Sequence, residues 1–236
     1  MRNVEDIFRF LGHEHPPVAA SPDGSLWRSK ITGSGPPSVA AVDGFMRLTL
    51  LTTLENEVAT LYMGDCLPFD IDDLLQVDFY LKLSTATLPP SASVAFGLCS
   101  AYNDDPDALA AHASFRLFGN NNVVCESDDG VNDNDDEAAG LTLGTGVKRF
   151  AIDFCSGIKT VVPPPSVGGK AHVLFAMDDD RFNLRPVCRS VRFDMSSYTS
   201  GLQIYAQIQK GAASSVVATG VTPNLQIQEV RVRRKL

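Results

Sequence analysis

Long apolar runs, clustered cysteines, histidine and tryptophan are all scarce in this chain, and each scarcity excludes something. No stretch approaches the roughly 20 apolar residues that a membrane-spanning helix needs. The uncharged run Gly211 to Gln228 is broken by Ser, Thr, Asn, Gln and Pro, so no membrane partner is expected. The first residues, Met1 to Asp6, lack the charged-then-apolar layout of a secretion signal, and the chain is expected to fold in the cytoplasm of the cell that makes it. Five cysteines (Cys66, Cys99, Cys125, Cys155 and Cys188) form no C-x-x-C and have no His at ligand spacing. They read as reduced, buried small hydrophobes, not as a disulfide framework or a zinc site. Of the four histidines, His13 and His15 sit beside Pro16-Pro17 with no third ligand and read as a surface pair. His112 and His172 stand alone and read as structural.

Charge is unevenly placed. Residues 101–140 hold ten acids (Asp104, Asp105, Asp107, Glu126, Asp128, Asp129, Asp133, Asp135, Asp136, Glu137) against one base, Arg116, a local charge of -9. The whole chain is at -8, so the remainder sums to +1, and the acidity describes one region. That balance disfavours nucleic acid as a partner. At the C-terminus Arg231, Arg233, Arg234 and Lys235 form a basic tail suited to an acidic protein surface.

What the chain does have is turn residues and period two. Eighteen Gly and 14 Pro in 236 residues favour short strands over helix bundles. Val77, Phe79 and Leu81 alternate with Asp78, Tyr80 and Lys82; Phe150, Ile152 and Phe154 alternate with Arg149, Ala151 and Asp153. Leu202, Ile204, Ala206 and Ile208 alternate with Gln203, Tyr205, Gln207 and Gln209, and Ile227, Val230 and Val232 close the pattern. These are half-buried strands. The apolar runs Val94 to Leu98 and Val173 to Met177 suit strands covered on both faces. Ten to thirteen strands are predicted, with brief helical stretches near Asp70 to Leu75 and Asp105 to Ala113. Strands without intervening helices must pair antiparallel, which predicts an all-β, antiparallel two-sheet jelly-roll sandwich. Residues 1–42, Pro-rich apart from a helix-compatible stretch Val4 to Leu11, are predicted as an extended N-terminal arm. Residues 43–236 are the β-sandwich domain, with Pro163-Pro-Pro-Ser as an internal loop.

Catalytic signatures fail one by one. Neither Gly33-Ser-Gly nor Cys155-Ser-Gly supplies a nucleophile elbow. Val167-Gly-Gly-Lys170-Ala lacks the leading Gly and the hydroxyl of a phosphate loop. A glycosidase needs two carboxylates about 5 Å apart, whereas the candidate strand Gln76 to Lys82 offers only Asp78. Asp70, Asp72 and Asp73 fall in a turn. The acidic run Asp128, Asp129, Asp133, Asp135, Asp136 and Glu137 has the oxygen density that Ca²⁺ wants but not the EF-hand pattern. The expected state is a solvated hairpin loop, with no cofactor.

The segments Leu61 to Asp70, Ala95 to Asn103, Phe115 to Phe118, Glu126 to Gly130, Phe150 to Phe154 and Leu202 to Lys210 together resemble a concanavalin-like sandwich of tailed-bacteriophage virions. The resemblance covers about residues 45 to 233. It implies a non-enzymatic virion structural protein, a capsid decoration or cement protein on the capsid surface. Its partner would be the major capsid protein, and it would self-associate as a homo-oligomer, a trimer. Attachment is expected through the arm (Phe8, Phe10, Trp27) and the basic tail (Arg231, Arg233, Arg234, Lys235). The alternative is a glycan-binding module of a phage tail or fibre, using Tyr102 or Phe118, since the single Trp lies in the arm.

Overall fold

The computed structural model describes residues 3–10, 27–33, 37–51, 55–154, 169–179, 181, 183–211 and 222–235. In chain order its strands are β1 (Asn3–Arg9), β2 (Arg28–Thr32), β3 (Ser38–Val42), β4 (Phe45–Thr49), β5 (Glu57–Tyr62), β6 (Phe69–Asp70), β7 (Leu74–Leu83) and β8 (Ala92–Cys99). Then follow β9 (His112–Leu117), β10 (Asn122–Asp128), β11 (Asp133–Thr142), β12 (Lys148–Asp153), β13 (Leu174–Asp178), β14 (Leu184–Val187), β15 (Gly201–Lys210) and β16 (Asn224–Lys235). They pair antiparallel into two eight-stranded sheets. Sheet A runs β14-β13-β12-β7-β16-β4-β3, with β1 beside the end of β16. Sheet B runs β11-β10-β9-β8-β15-β5-β2, with β6 beside the start of β15. Helix among the described residues is limited to single 3₁₀ turns at Pro106–Ala108 and Lys170–His172. The fold is the expected all-β, two-sheet jelly-roll sandwich.

Period two puts one side chain of every pair between the sheets. Phe79, Phe150 and Phe175 from sheet A meet Phe96 and Phe115 from sheet B, with ring centroids 4.9 to 5.6 Å apart in mostly edge-on contacts. Such pairs add about 0.5–1.5 kcal/mol each beyond area burial. Gly97 lets β8 approach β9 closely: a Cβ there would stand 2.2 Å from the Ala113 carbonyl oxygen. Any larger residue would push β9 away and carry its outward side chains with it.

The described parts of residues 1–42 are not an arm. β1 is a strand where a helix was compatible, because its alternation of inward Val4, Asp6 and Phe8 against outward Glu5, Ile7 and Arg9 matches a partner in β16. Phe10 is fully buried, and Phe8 and Phe10 both pack edge-on against Trp27, at 5.6 and 5.5 Å. β2 extends sheet B beside β5, and β3 forms a hairpin with β4. The expected boundary at 42/43 falls in that hairpin's turn, Asp43-Gly44. Both residues have positive φ (52° and 79°), as an Asp-Gly type I′ turn requires. His13, His15, Cys155 and Pro163-Pro-Pro lie outside the described residues.

Candidate functional site

On β9, Ala113, Phe115 and Leu117 face the core, so His112, Ser114 and Arg116 share the outward face of sheet B. The neighbouring β10 sets Glu126 opposite Ser114 and Asp128 opposite His112. Glu126 is therefore diagonal to both His112 and Arg116, and its two oxygens take one each. His112 Nε2 donates to Oε1 at 2.9 Å and Arg116 Nη1 to Oε2 at 2.7 Å. The Glu126 side chain is 1% exposed. Burial alone would raise its carboxyl pKa, but the hydrogen bonds and charges of His112 and Arg116 outweigh burial and hold it below the ordinary value. The same carboxylate, with Asp107, keeps the buried Arg116 guanidinium firmly protonated against desolvation.

A β-bulge supplies the rest. Cys125 pairs with Glu137 and Ser127 with Asn134, so Glu126 alone on β10 faces two residues of β11, Asp135 and Asp136. Asp136 takes a left-handed φ of 47°, and its Oδ1 lies 3.7 Å from Arg116 Nη1. Bulges re-aim side chains in this way. Asp107, within the 3₁₀ turn, closes on Arg116 from the other side. Asp107, His112, Glu126, Asp128, Asp133, Asp135 and Asp136 line a cavity of about 290 Å³. Desolvation, with the neighbouring Asp135 and Asp128, raises the Asp133 pKa. Desolvation also raises Asp136, with Glu126, Asp107 and Asp135 adding to the effect and Arg116 opposing it.

Beside the cavity the outward face of sheet B is roofed by residues 100–109. Tyr205 Oη donates to the Asn103 carbonyl at 2.8 Å, and Gln207 Nε2 to the Asn103 and Asp104 carbonyls at 3.2 Å. Leu109 packs on Ala95, Cys99 and Tyr205, covering β8 on its second face as its apolar run predicts. Tyr102 leans on Tyr62, with Lys30 Nζ 4.2 Å from its ring centre. Phe118 lies under Arg116, 5.1 Å from the guanidinium carbon.

Of the acidic run, the structure brings Asp128, Asp133, Asp135 and Asp136 to the cavity. Asp129 instead ties the hairpin turn, accepting from the Asn132 and Ser197 backbone N–H groups at 2.7 and 2.8 Å, and Glu137 is not among the lining residues. The run is not a loop: only Asp129 to Asn132 turn, and the rest is strand. Among the described residues no three His, Cys, Asp or Glu side chains are arranged to hold a metal ion. Asp70, as expected, closes a turn by accepting from the Asp72 N–H at 2.9 Å. Asp78, the lone carboxylate of the candidate glycosidase strand, stands on sheet A in ion pairs with Arg149 and Arg233 at 3.1 and 3.2 Å. The tail bases are likewise engaged within the sandwich. Arg231 pairs with Glu229, Arg234 with Asp6 at 2.9 Å, and Lys235 donates to the Asp72 carbonyl at 2.9 Å. His112 and Arg116 were not singled out together; the signal was there in His-Ala-Ser-Phe-Arg-Leu, whose polar members recur every second residue around the acidic region's one base.

No family model matches the chain, and no curated protein matches it. Solved structures do. The carbohydrate recognition domain of Emp47p aligns with TM-score 0.56 and 11% identity over 94% of this chain and 95% of its own. SCLam, a non-specific endo-β-1,3(4)-glucanase from family GH16, aligns with TM-score 0.60 and 10% identity over 98% and 92%. Bacillus licheniformis β-glucanase aligns with TM-score 0.58 and 12% identity over 93% and 96%. At these identities the likeness establishes the fold, a concanavalin-like jelly-roll sandwich. Among the described residues no helix is long and apolar enough to cross a membrane.

Proposed function

We propose that this chain is a glycan-binding sandwich whose acidic cavity on the outward face of sheet B accepts sugar hydroxyl or ammonium groups. The observation that carries the reading is the cavity itself, with carboxylates from β10, β11 and the 3₁₀ turn converging around the buried His112–Glu126–Arg116 network. Carboxylates accept hydrogen bonds and offer none when ionised, so the cavity suits neutral or amino-bearing sugars and repels sialylated or sulfated ones. Binding is favoured over hydrolysis because Glu126, at 1% exposed with both oxygens occupied, cannot reach an anomeric carbon as a nucleophile must. The carbohydrate recognition domain and the glucanases of the same fold point to the same ligand class. An immobilised panel of neutral, amino-bearing, sialylated and sulfated oligosaccharides tests this. The parent chain should retain neutral or amino-bearing members, and Asp133→Asn/Asp135→Asn/Asp136→Asn should weaken them about tenfold or more. Retention of none, or equal retention by the triple variant, overturns the reading; new reducing ends would make the chain a hydrolase.

A second reading, a capsid decoration protein that meets a major capsid protein as a homotrimer, draws on a separate observation. Ile7 on β1 and Ile31 on β2 are 43% and 38% exposed at the margins of the two sheets, where a neighbouring subunit can add. A stable dimer in sedimentation would overturn the trimer.

A further inference from the structure

We infer that Cys125 and Cys188 are a redox pair that closes to a disulfide across the side of the sandwich where β11 and β14 form the free edges of the two sheets. Cys125 is a fully buried residue of β10, and Cys188 is a half-buried residue just past β14. The Cys188 thiol donates to the Glu137 carbonyl at 3.2 Å, and Glu137 is the cross-strand partner of Cys125. The Cys125 thiol in turn makes a side-chain hydrogen bond to Cys188. Two sulfurs from opposite sheets thus lie within hydrogen-bond reach of each other beside the Cys125–Glu137 pair.

Their environments assign them different parts. The bond from Cys125 draws the Cys188 thiol below its ordinary pKa, whereas burial pushes Cys125 well above it. A half-buried thiol with more thiolate character is the one an oxidant meets first. With hydrogen peroxide as oxidant, the Cys188 thiolate attacks one peroxide oxygen and the O–O bond breaks. Hydroxide leaves, takes up a proton as water, and Cys188 becomes a sulfenic acid. The Cys125 sulfur then attacks the Cys188 sulfur; the S–S bond forms, the S–O bond breaks, and the departing hydroxide takes the Cys125 proton as a second water. Two thiols lose two electrons and the peroxide gains them. The product ties β10 of sheet B to the end of β14 in sheet A, behind the strands that carry the acidic cavity.

The test uses the reduced full chain, treated with hydrogen peroxide and read by intact mass, non-reducing peptide mapping and thermal melting. A loss of two hydrogen atoms, a linked Cys125–Cys188 peptide and a melting temperature raised by roughly 5–10 °C are expected, all reversed by dithiothreitol. Cys188→Ser should show none of these and Cys66→Ser all of them. Oxygen added at Cys188 without a link, a link through Cys66 or Cys155, or an unmoved melting temperature in the linked protein would overturn the pair. Mapping of the parent chain decides the point even if a variant fails to fold.

Discussion

Glu126 joins His112 and Arg116 at the cavity, and its removal separates two effects. Glu126→Gln leaves Arg116 with Asp107 and Asp136 at the rim but strips it of its buried partner, which should cost about 3 kcal/mol at pH 7. The folded carboxyl is held below its ordinary value. Its stabilisation is therefore complete above the unfolded glutamate pKa, about 4.3, and lost as pH falls through the folded value. Asp133 and Asp136 run the other way. Their folded values are raised, so their relative contribution is full below the unfolded aspartate value and lost as pH rises through the folded one. Asp136→Asn should accordingly raise the melting temperature slightly at pH 7 and leave it unchanged near pH 3, since Asn also tolerates the left-handed bulge position. Melting curves from pH 3 to 7 check both, and a stabilised Glu126→Gln would contradict the network. At this scale the acids of the cavity were legible as a cluster. Their division into liners and turn-makers was not, because it depends on a bulge that places Asp135 and Asp136, but not Asp129, against Arg116.

Among the elements, those carrying clear alternations were legible because period two sustained over six to twelve residues admits one structure: β7, β12, β15 and β16 each turn alternate apolar residues into the core between the sheets. β1 was not. Seven residues ending in Ile-Phe-Arg suit a helix turn as well as a strand, and what decides is the partner β16, more than two hundred residues away. The turn Asp43-Gly44 was readable in principle, since Asp-Gly between apolar runs marks a hairpin, and it would have drawn residues 38–42 into the domain. The consequence is a prediction opposite to that of a detachable arm. Phe10 is fully buried against Trp27, and Phe10→Ala should cost about 3–5 kcal/mol. Deleting residues 1–10 should cost more, because it also bares the edge of β16, takes one of the two arginines from Glu229 and strips Arg234 of Asp6. Urea unfolding measures both; a truncated chain with the parent's midpoint would return these residues to the status of an arm.

For the whole molecule, the sequence's uneven charge becomes a polar arrangement in space. The acids of residues 101–140 gather at the β9–β11 margin of sheet B and its roof, while Arg9, Arg47, Arg149, Arg231 and Arg233 lie on sheet A in pairs with Glu229, Asp43 and Asp78. Salt acts on these two regions with opposite sign. It weakens the exposed Arg47–Asp43 pair of sheet A, worth little, acts less on the pairs made by buried Asp78 and Glu229, and screens the mutual repulsion of Asp128, Asp133, Asp135 and Asp136, whose one buried counter-charge, Arg116, is shielded from the solvent that carries the ions. Repulsion among several like charges in one cavity outweighs a few surface pairs, so raising sodium chloride from about 0.02 to 0.5 M should lift the melting temperature by about 2–4 °C, equivalent to about 1 kcal/mol for a chain of this size. Asp133→Asn/Asp135→Asn/Asp136→Asn should start higher and respond little. Calcium chloride at matched ionic strength separates screening from binding: an equal rise is screening alone. A larger rise, lost in the triple variant, would instead mean that an ion occupies the cavity and stabilises the native state by mass action.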